Sequence, residues 1–434
     1  MKAIAIFDIG KTNKKFFLFN EHFDVIHKES ISFDEIMDDD GFAADNLSAV
    51  EDWIKNVLQR MLNDAQYEIT AINFSAYGAS FVHVGDDGKP VTSLYNYLKP
   101  FPEKIAQSFF DKYDEKKTIA SETGSPYSGM LNSGLQLYWL KYAKPEIFKK
   151  IKWSMHLPQY FSYLLTCIPV SDHTSVGCHT SLWDYKKQDY HHWVYEENID
   201  KILPAIVSSD KIMEATFDGK KISVGTGIHD SSSALLPYIM KDKDPFVLIS
   251  TGTWSVSLNP FSEDFLSESD MENNCLNYMR TDGKPVRASK LFLGKEHEVQ
   301  SQLLNEHFAK NKNHHQQIKF DEIVFEKLKA DYVPCFHFEN IQGDFVQPLA
   351  TSYERFSNIE EAYHQLMIEL SELQMKSINL AIGNSKLDKI YVDGGFTDND
   401  IYIKLLQRNF PQCEIIIAQS PIGSALGAAM IVGA

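Results

Sequence analysis

Hydrophobic residues run without alternation at the start of the chain. Ala3-Ile4-Ala5-Ile6-Phe7 is wholly apolar, Asp8-Ile9-Gly10-Lys11-Thr12-Asn13 interrupts it, and Phe16-Phe17-Leu18-Phe19 resumes it. Two apolar runs around a glycine-containing polar turn predict a β-hairpin, with a further turn at residues 20–24 leading into a meander. From 46 to 62 the period changes. Leu47, Val50, Trp53, Ile54, Val57, Leu58, Met61 and Leu62 recur at helical spacing, so a helix with one buried face is expected, with Asn46 as its N-cap. Residues 69–75 return to strand character.

Residues 131–166 carry two helical stretches, LNSGLQLYWLKYAKPEIFKK and LPQYFSYLLT. Residues 222–228 read as a glycine-containing strand and 231–236 as the start of a helix. A second apolar run, Phe246-Val247-Leu248-Ile249, meets the turn Ser250-Thr251-Gly252-Thr253 and continues as a strand over 254–258. It repeats the N-terminal sequence of strand, Gly-Thr turn and strand, which predicts a duplicated fold with one lobe per hairpin. Residues 262–313 are polar and mixed, with few signals. Residues 358–380 form a long amphipathic helix opened by a capping-box pattern in Asn358 and Glu361. The chain closes as strand (389–392), Asp393-Gly394-Gly395 turn, helix (399–410), strand (414–418) and helix (422–432), an α/β order.

Composition narrows the function classes. The length of 434 residues suits two or three domains, and a 44% hydrophobic fraction supplies sizeable cores. A formal net charge of −17 argues against general binding to nucleic acid, since no basic excess is present to release counterions. It leaves room for ATP, which a few local donors and a metal ion can hold. The five cysteines are scattered and contain no C-x-x-C pair, so neither a zinc site nor a disulfide framework is expected. The N-terminal apolar run is too short for a secretory core, and no stretch reaches the ~18 apolar residues of a membrane span. The expectation is a cytoplasmic protein.

The candidate chemistry sits at the turns. Phosphoryl transfer relies on positioning and charge stabilisation. Gly10 permits a tight bend that presents backbone N–H groups to an anion. Thr12 and Asn13 add donors, Lys14 and Lys15 add charge, and Asp8 can hold a hydrated Mg²⁺. Gly252 and Thr253 offer the same equipment on the second hairpin. Asp230 follows His229 and precedes Ser231 at a helix start. There a carboxylate is stabilised as an anion and can accept a hydroxyl proton. Gly394 and Gly395 admit a flat ligand or a phosphate, and Tyr77 with Gly78 suits a sugar ring. Taken singly, each is also what an ordinary turn, a helix cap or a core aromatic looks like. Neither a G-x-G-x-x-G nor a Walker-type loop is present.

Taken in order, FDIGKTN, NFSAYGASFVHVGDDGKPV, LNSGLQLYWL, LPQYFSYLLT, VGTGIHDSSSALL, LISTGTWSVSL, YVDGGFTDND and SALGAA resemble the FGGY carbohydrate kinases of the actin–hexokinase superfamily. His229-Asp230, Gly252-Thr253-Trp254 and Tyr77-Gly78 resemble the rhamnulokinase and fuculokinase branch most. The resemblance implies an α/β fold of two actin-like (ribonuclease H-like) lobes, with ATP and sugar meeting in a cleft between them. Residues 1–238 would hold the sugar, the first phosphate loop and the catalytic aspartate, and 239–434 the second phosphate loop and the adenosine. It implies Asp230 as catalytic base, with Gly78, Tyr77, His229 and Ser231 at the sugar. Gly10, Thr12, Asn13, Lys15, Gly252, Thr253, Gly394, Gly395 and, more loosely, Gln300 would lie at the nucleotide, and Asp8 at Mg²⁺. The implied partner is a small-molecule sugar; a homodimer is compatible, and neither nucleic acid nor membrane is required.

The chain also departs from the pattern. Lys11 stands where a small residue is usual, which would put an unusual charge near the phosphates. Phe396 follows the two glycines where a third is usual. Leu98-Lys99 replaces an arginine expected after Tyr97, and the sugar-contacting Asn-Glu-Gly-Gly segment is represented at best by Arg280-Thr281-Asp282-Gly283. The implied substrate is L-rhamnulose or L-fuculose. The alternatives are xylulose, ribulose, a polyol such as glycerol, or an inactive sugar or nucleotide sensor.

Overall fold

The computed structural model describes residues 1–341, 345–418 and 422–433. They form two compact units. The first comprises Met1–Asp242, Asn277–Pro285 and the C-terminal stretch from Ile422; the second comprises Lys243–Leu276 and Val286–Pro421. A single cut at 238/239 falls inside the helix Asp230–Lys241.

In the first unit, β1 (Lys2–Ile9), β2 (Lys14–Phe19) and β3 (Val25–Ile31) form an antiparallel meander. Helix α1 (Leu47–Asn63) then leads to β4 (Glu68–Ala76), which lies parallel to β1 on its other side. Strand β5 (Lys220–Gly225) extends the sheet in parallel and carries the hairpin strand Ile212–Phe217 at the edge. Asn46 caps α1 by accepting the Ala49 N–H at 3.2 Å.

The unbroken hydrophobicity of β1 has a geometric cause. Successive side chains of a strand point to opposite faces, and both faces are covered. Ala3, Ala5, Phe7 and Ile9 pack with Leu47, Val50, Ile54 and Leu58 of α1, and the Phe7 ring stacks on Phe74 at 5.4 Å. Ile4 and Ile6 face Ala425, Ala428 and Ala429 of the C-terminal helix Gly423–Gly433. The small residues of SALGAA are the contact surface. A Cβ on Gly427 would collide with the Ser233 carbonyl in α2 (Asp230–Lys241).

The second unit repeats the topology. Strands β6 (Phe246–Thr251), β7 (Ser255–Asn259) and β8 (Pro285–Leu291) are antiparallel in sequence, while β9 (Lys389–Gly394) and β10 (Glu414–Ile417) continue parallel from β6. Each sheet thus runs third-second-first-fourth-fifth strand, the actin-like arrangement. Helices α3 (Leu293–His307) and α4 (Ile359–Ile382) flank this second sheet.

Three local expectations need correction. The gap between the two helical stretches of 131–166 is a strand, Trp153–His156, paired with Phe81–Val84. The signal-poor region 262–313 is ordered: it holds a capping-boxed turn of helix Glu268–Glu272, the edge strand Cys275–Met279, β8 and α3. At α4, Asn358 accepts the Glu361 N–H at 2.9 Å, but the Glu361 carboxylate reaches back to the Ser357 N–H, one residue before the cap. Among the described residues no helix is long and apolar enough to cross a membrane.

The Gly427 contact predicts that Gly427→Val lowers the unfolding free energy by about 1–3 kcal/mol, the usual cost of overpacking. Urea denaturation followed by circular dichroism checks this; an unchanged midpoint would contradict it.

Candidate functional site

Two groups of residues stand out, one in each unit. In the first unit they collect at the carboxyl ends of parallel strands, where open α/β sheets place ligands. Asp8 is the last residue but one of β1, directly opposite Lys15 on β2 and Ser75 on β4. Ile228-His229 pairs with Ser75-Ala76 at the same level and delivers Asp230 to the first turn of α2. His229 occupies the N-cap position and makes no side-chain cap, so Asp230 is a first-turn residue and not a helix cap.

Asp8 carries the largest electrostatic tension here. Burial pushes its carboxyl up to about 6, and the Asp230 charge adds to the rise; Lys15 and the Ser424 hydroxyl, which donates to Oδ1 at 3.0 Å, oppose it. Ser424 lies at the start of the C-terminal helix, and sequence reasoning assigned it no role. A buried carboxylate with a second carboxylate and hydroxyls around it is an all-oxygen donor set, which suits Mg²⁺ better than a soft metal. These residues therefore fit the implied cation.

Asp230 keeps a third of its side chain exposed, whereas its neighbour His229 is almost fully buried. Asp230 Oδ1 accepts the Ser231 N–H at 2.6 Å and the Ser231 hydroxyl at 3.2 Å. His229 Nε2 lies 3.4 Å from Asp230 Oδ1 and 3.2 Å from Cys178 Sγ. Burial lowers the His229 pKa, although Asp230 and Asp172 pull the other way, so the ring is neutral at pH 7. Its backbone N–H donates to Thr174 Oγ1, and Thr174 in turn donates to the buried Asp172. Gly78 makes room for the ring: a Cβ there would sit 2.6 Å from His229 Nε2. The Tyr278 ring packs against His229 at 5.7 Å, tilted by 41°.

The turn between β1 and β2 differs from expectation in three ways. The Gly10 N–H is spent closing the turn, to Asn13 O at 3.0 Å, so exposed Thr12 and Asn13 at the turn tip remain as its donors. Lys14 is buried; its ammonium binds Lys11 O at 2.8 Å and lies 3.4 Å from Asp45. Lys11 is not a loose charge: it pairs with Asp45 Oδ2 at 2.6 Å. Tyr77 is a core residue whose hydroxyl donates to the same Asp45 oxygen at 2.7 Å, so it offers no open face.

In the second unit, Gly252, Thr253, Gly294, His297, Tyr363, Gly395 and Phe396 are among the residues lining a cavity of about 860 Å³. That is within the size range of small-molecule sites. Gly395 has open space where a Cβ would stand, while Gly394, at φ +93°, lies too close to the Thr251 carbonyl for any side chain. The two glycines divide their work: Gly394 joins strand ends and Gly395 faces the cavity. Gly294 similarly abuts the Gly252 carbonyl, and the Lys295 N–H donates to Thr253 O at 3.1 Å, so α3 buttresses the Gly252-Thr253 turn.

His297 is pushed down to about 3 by burial, and its Nε2 lies 2.8 Å from the Tyr363 hydroxyl, which also accepts from Asn399. Phe396 packs between His297 and Tyr402. Gln300 does not line this cavity. One helical turn separates it from His297 on α3, its side chain is buried, and its amide donates to His337 O at 2.8 Å.

Comparison with known proteins adds the following. Residues 3–236 match the model of the "FGGY family of carbohydrate kinases, N-terminal domain", and 243–434 match "Carbohydrate kinase FGGY, C-terminal domain". A rhamnulokinase of Halalkalibacterium halodurans is 26% identical over 258 residues, 57% of this chain and 52% of that protein. One of Oceanobacillus iheyensis is 23% identical over 208 residues, 44% of this chain and 42% of that protein. The matched stretch is thus about half the length of these curated relatives. Among solved structures, a carbohydrate kinase of Novosphingobium aromaticivorans superposes with a TM-score of 0.84 at 21% identity, covering 99% of this chain and 91% of that one. A ligand-bound xylulose kinase of Lactobacillus acidophilus gives 0.80 at 17% identity, with 100% and 89% covered. At such identities these structures establish the fold.

The raised Asp8 pKa has a signed consequence. The folded value exceeds the unfolded one, so the group weakens the fold as pH rises from about 4 to about 6. Asp8→Asn is expected to melt close to wild type near pH 4 and above it near pH 7.5, by calorimetry without added metal. A gap that does not widen with pH would contradict this.

Proposed function

The chain belongs to the FGGY family of carbohydrate kinases, and from that premise we propose that it transfers the γ-phosphate of ATP to a hydroxyl of a ketose. Asp230 carries the reading: a partly exposed carboxylate at the carboxyl end of the sheet, beside a buried neutral histidine. Ser231 occupies Oδ1 from both its N–H and its hydroxyl. Among the described residues Oδ2 has no hydrogen bond, which leaves it to take the proton. As the sugar oxygen bonds to the γ-phosphorus, its hydroxyl proton passes to Asp230 and the bond to the β–γ bridging oxygen breaks, releasing ADP. A positioned base contributes roughly 10²–10⁴-fold to such a step.

His229 and Gly78 shape the sugar side and hold Asp230 in place. In the first unit Thr12, Asn13 and Lys15, and in the second unit Thr253, are the groups that offer donors or charge to phosphate oxygens. Gly395, Phe396 and Tyr363 line the cavity assigned to adenosine. Asp8 would hold Mg²⁺, which when bound offsets phosphate charge. The work of the protein is positioning, and protein and substrate are taken to meet in the cytoplasm.

L-Rhamnulose and L-fuculose are the first candidate substrates, supported by His229-Asp230 and the rhamnulokinase matches. An inactive sensor would have no need of a reachable carboxylate at 230. ADP release from MgATP is measured with L-rhamnulose, L-fuculose, xylulose, ribulose and glycerol. At least one sugar is expected to stimulate it, and Asp230→Asn to lower that rate by about 10²-fold or more. No stimulation by any of them, or full rate in Asp230→Asn, overturns the proposal.

A further inference from the structure

Lys11 is the residue of the first loop that the phosphate reading does not absorb, and its surroundings are specific. Its ammonium lies 5.9 Å from the Tyr97 ring centroid and 6.0 Å from that of Tyr77, and the two rings meet edge-on at 6.0 Å. Asp45 holds it from below at 2.6 Å, and Glu35 lies 3.4 Å away. Glu35 also meets the Asn96 amide, while the backbone of Asp45 bridges to that of Leu94. Lys99 is fixed to Asp38 and Asp40. Tyr97 therefore sits on a segment tied down on both sides of it, with Lys11 against its ring.

The same group reaches the reacting centre through direct contacts. Tyr77 precedes Gly78, which packs on His229, which lies 3.4 Å from Asp230. Tyr97 is only partly buried, so part of it remains open to a ligand. Burial raises its phenol pKa, and the Asp230 and Asp45 charges add to the rise, which agrees with a place beside the base.

We propose that Lys11 is a positioning residue: clamped by Asp45 between Tyr77 and Tyr97, it holds Tyr97 as a wall of the sugar pocket and ties that wall to the first phosphate loop. The assignment of the pocket to a sugar rests on the function proposed above. A cation near aromatic rings is attracted by the ring quadrupoles, and the Asp45 pair fixes where it sits. Removing Lys11 does not strand a buried charge. Asp45 keeps the Tyr77 hydroxyl at 2.7 Å and Lys14 at 3.4 Å, so a Lys11 variant is expected to fold.

Two measurements on the full chain test this. Hydrogen exchange of the ligand-free protein compares wild type, Lys11→Met and Lys11→Arg. Lys11→Met is expected to lose protection in 10–15 and in 94–99 together, and Lys11→Arg, which keeps the charge and stacks on aromatics, to retain it. Kinetics with the sugar that stimulates ADP release follow. Lys11→Met is expected to raise the sugar KM about tenfold with kcat within about twofold, and the ATP KM by less than the sugar KM, a loss of uniform binding. Lys11→Arg should recover most of it, and Tyr97→Ala should reproduce the KM rise.

Unchanged exchange in 94–99, or a defect confined to the ATP KM, overturns the role of Lys11. If no sugar stimulates the wild type, the kinase reading fails, and the exchange experiment still decides whether Lys11 clamps Tyr97.

Discussion

The structure of the first unit turns on a carboxylate that burial disfavours. Asp8 is the last residue but one of a strand covered on both faces, and its pKa is driven up by lost hydration before any neighbour acts. Three groups around it answer that cost. Lys15 faces it across the hairpin, Ser424 donates to it, and Ser75 stands opposite it on the parallel strand. The C-terminal helix can bring Ser424 there because Ala425, Gly427, Ala428 and Ala429 let it lie close against β1 and α2. Asp230 adds to the tension, which a native fold tolerates where function requires it.

The second unit solves a different problem, that of leaving room. Its cavity borders two places where backbone lies directly on backbone, Gly394 on Thr251 and Gly294 on Gly252. Both contacts forbid a side chain, and both bring a strand end or helix start to the edge of the cavity. Gly395 and Gly252 then present bare backbone to it. Neutral His297 and Tyr363 supply uncharged polar edges, and Lys295, Lys312 and Lys319 supply charge elsewhere on the lining.

The duplicated topology was legible in the chain because strand hydrophobicity and Gly-Thr turns are local signals. So was the placing of Asp8 and the two glycine turns near strand ends and of Asp230 at a helix start. Legibility failed where partners are distant in sequence. Nothing near Lys11 announces Asp45, thirty-four residues away, and Tyr77 looked like a ligand platform because the acceptor of its hydroxyl is equally remote. Gln300 failed by helical phase: on α3 the cavity face passes through His297, and position 300 turns to the core. Region 262–313 gave few signals because its capping box, Ser267 with Asp270, precedes a helix of only five residues and its strands follow without clear turn signals.

The central claim is that Asp230 directs phosphate to a sugar oxygen and not to water. Phosphorus NMR on protein, MgATP and the stimulating sugar reads this directly. The account predicts a new phosphomonoester resonance that grows in step with ADP while inorganic phosphate stays at background. ADP accompanied by an equal amount of inorganic phosphate, with no phosphomonoester, would contradict it.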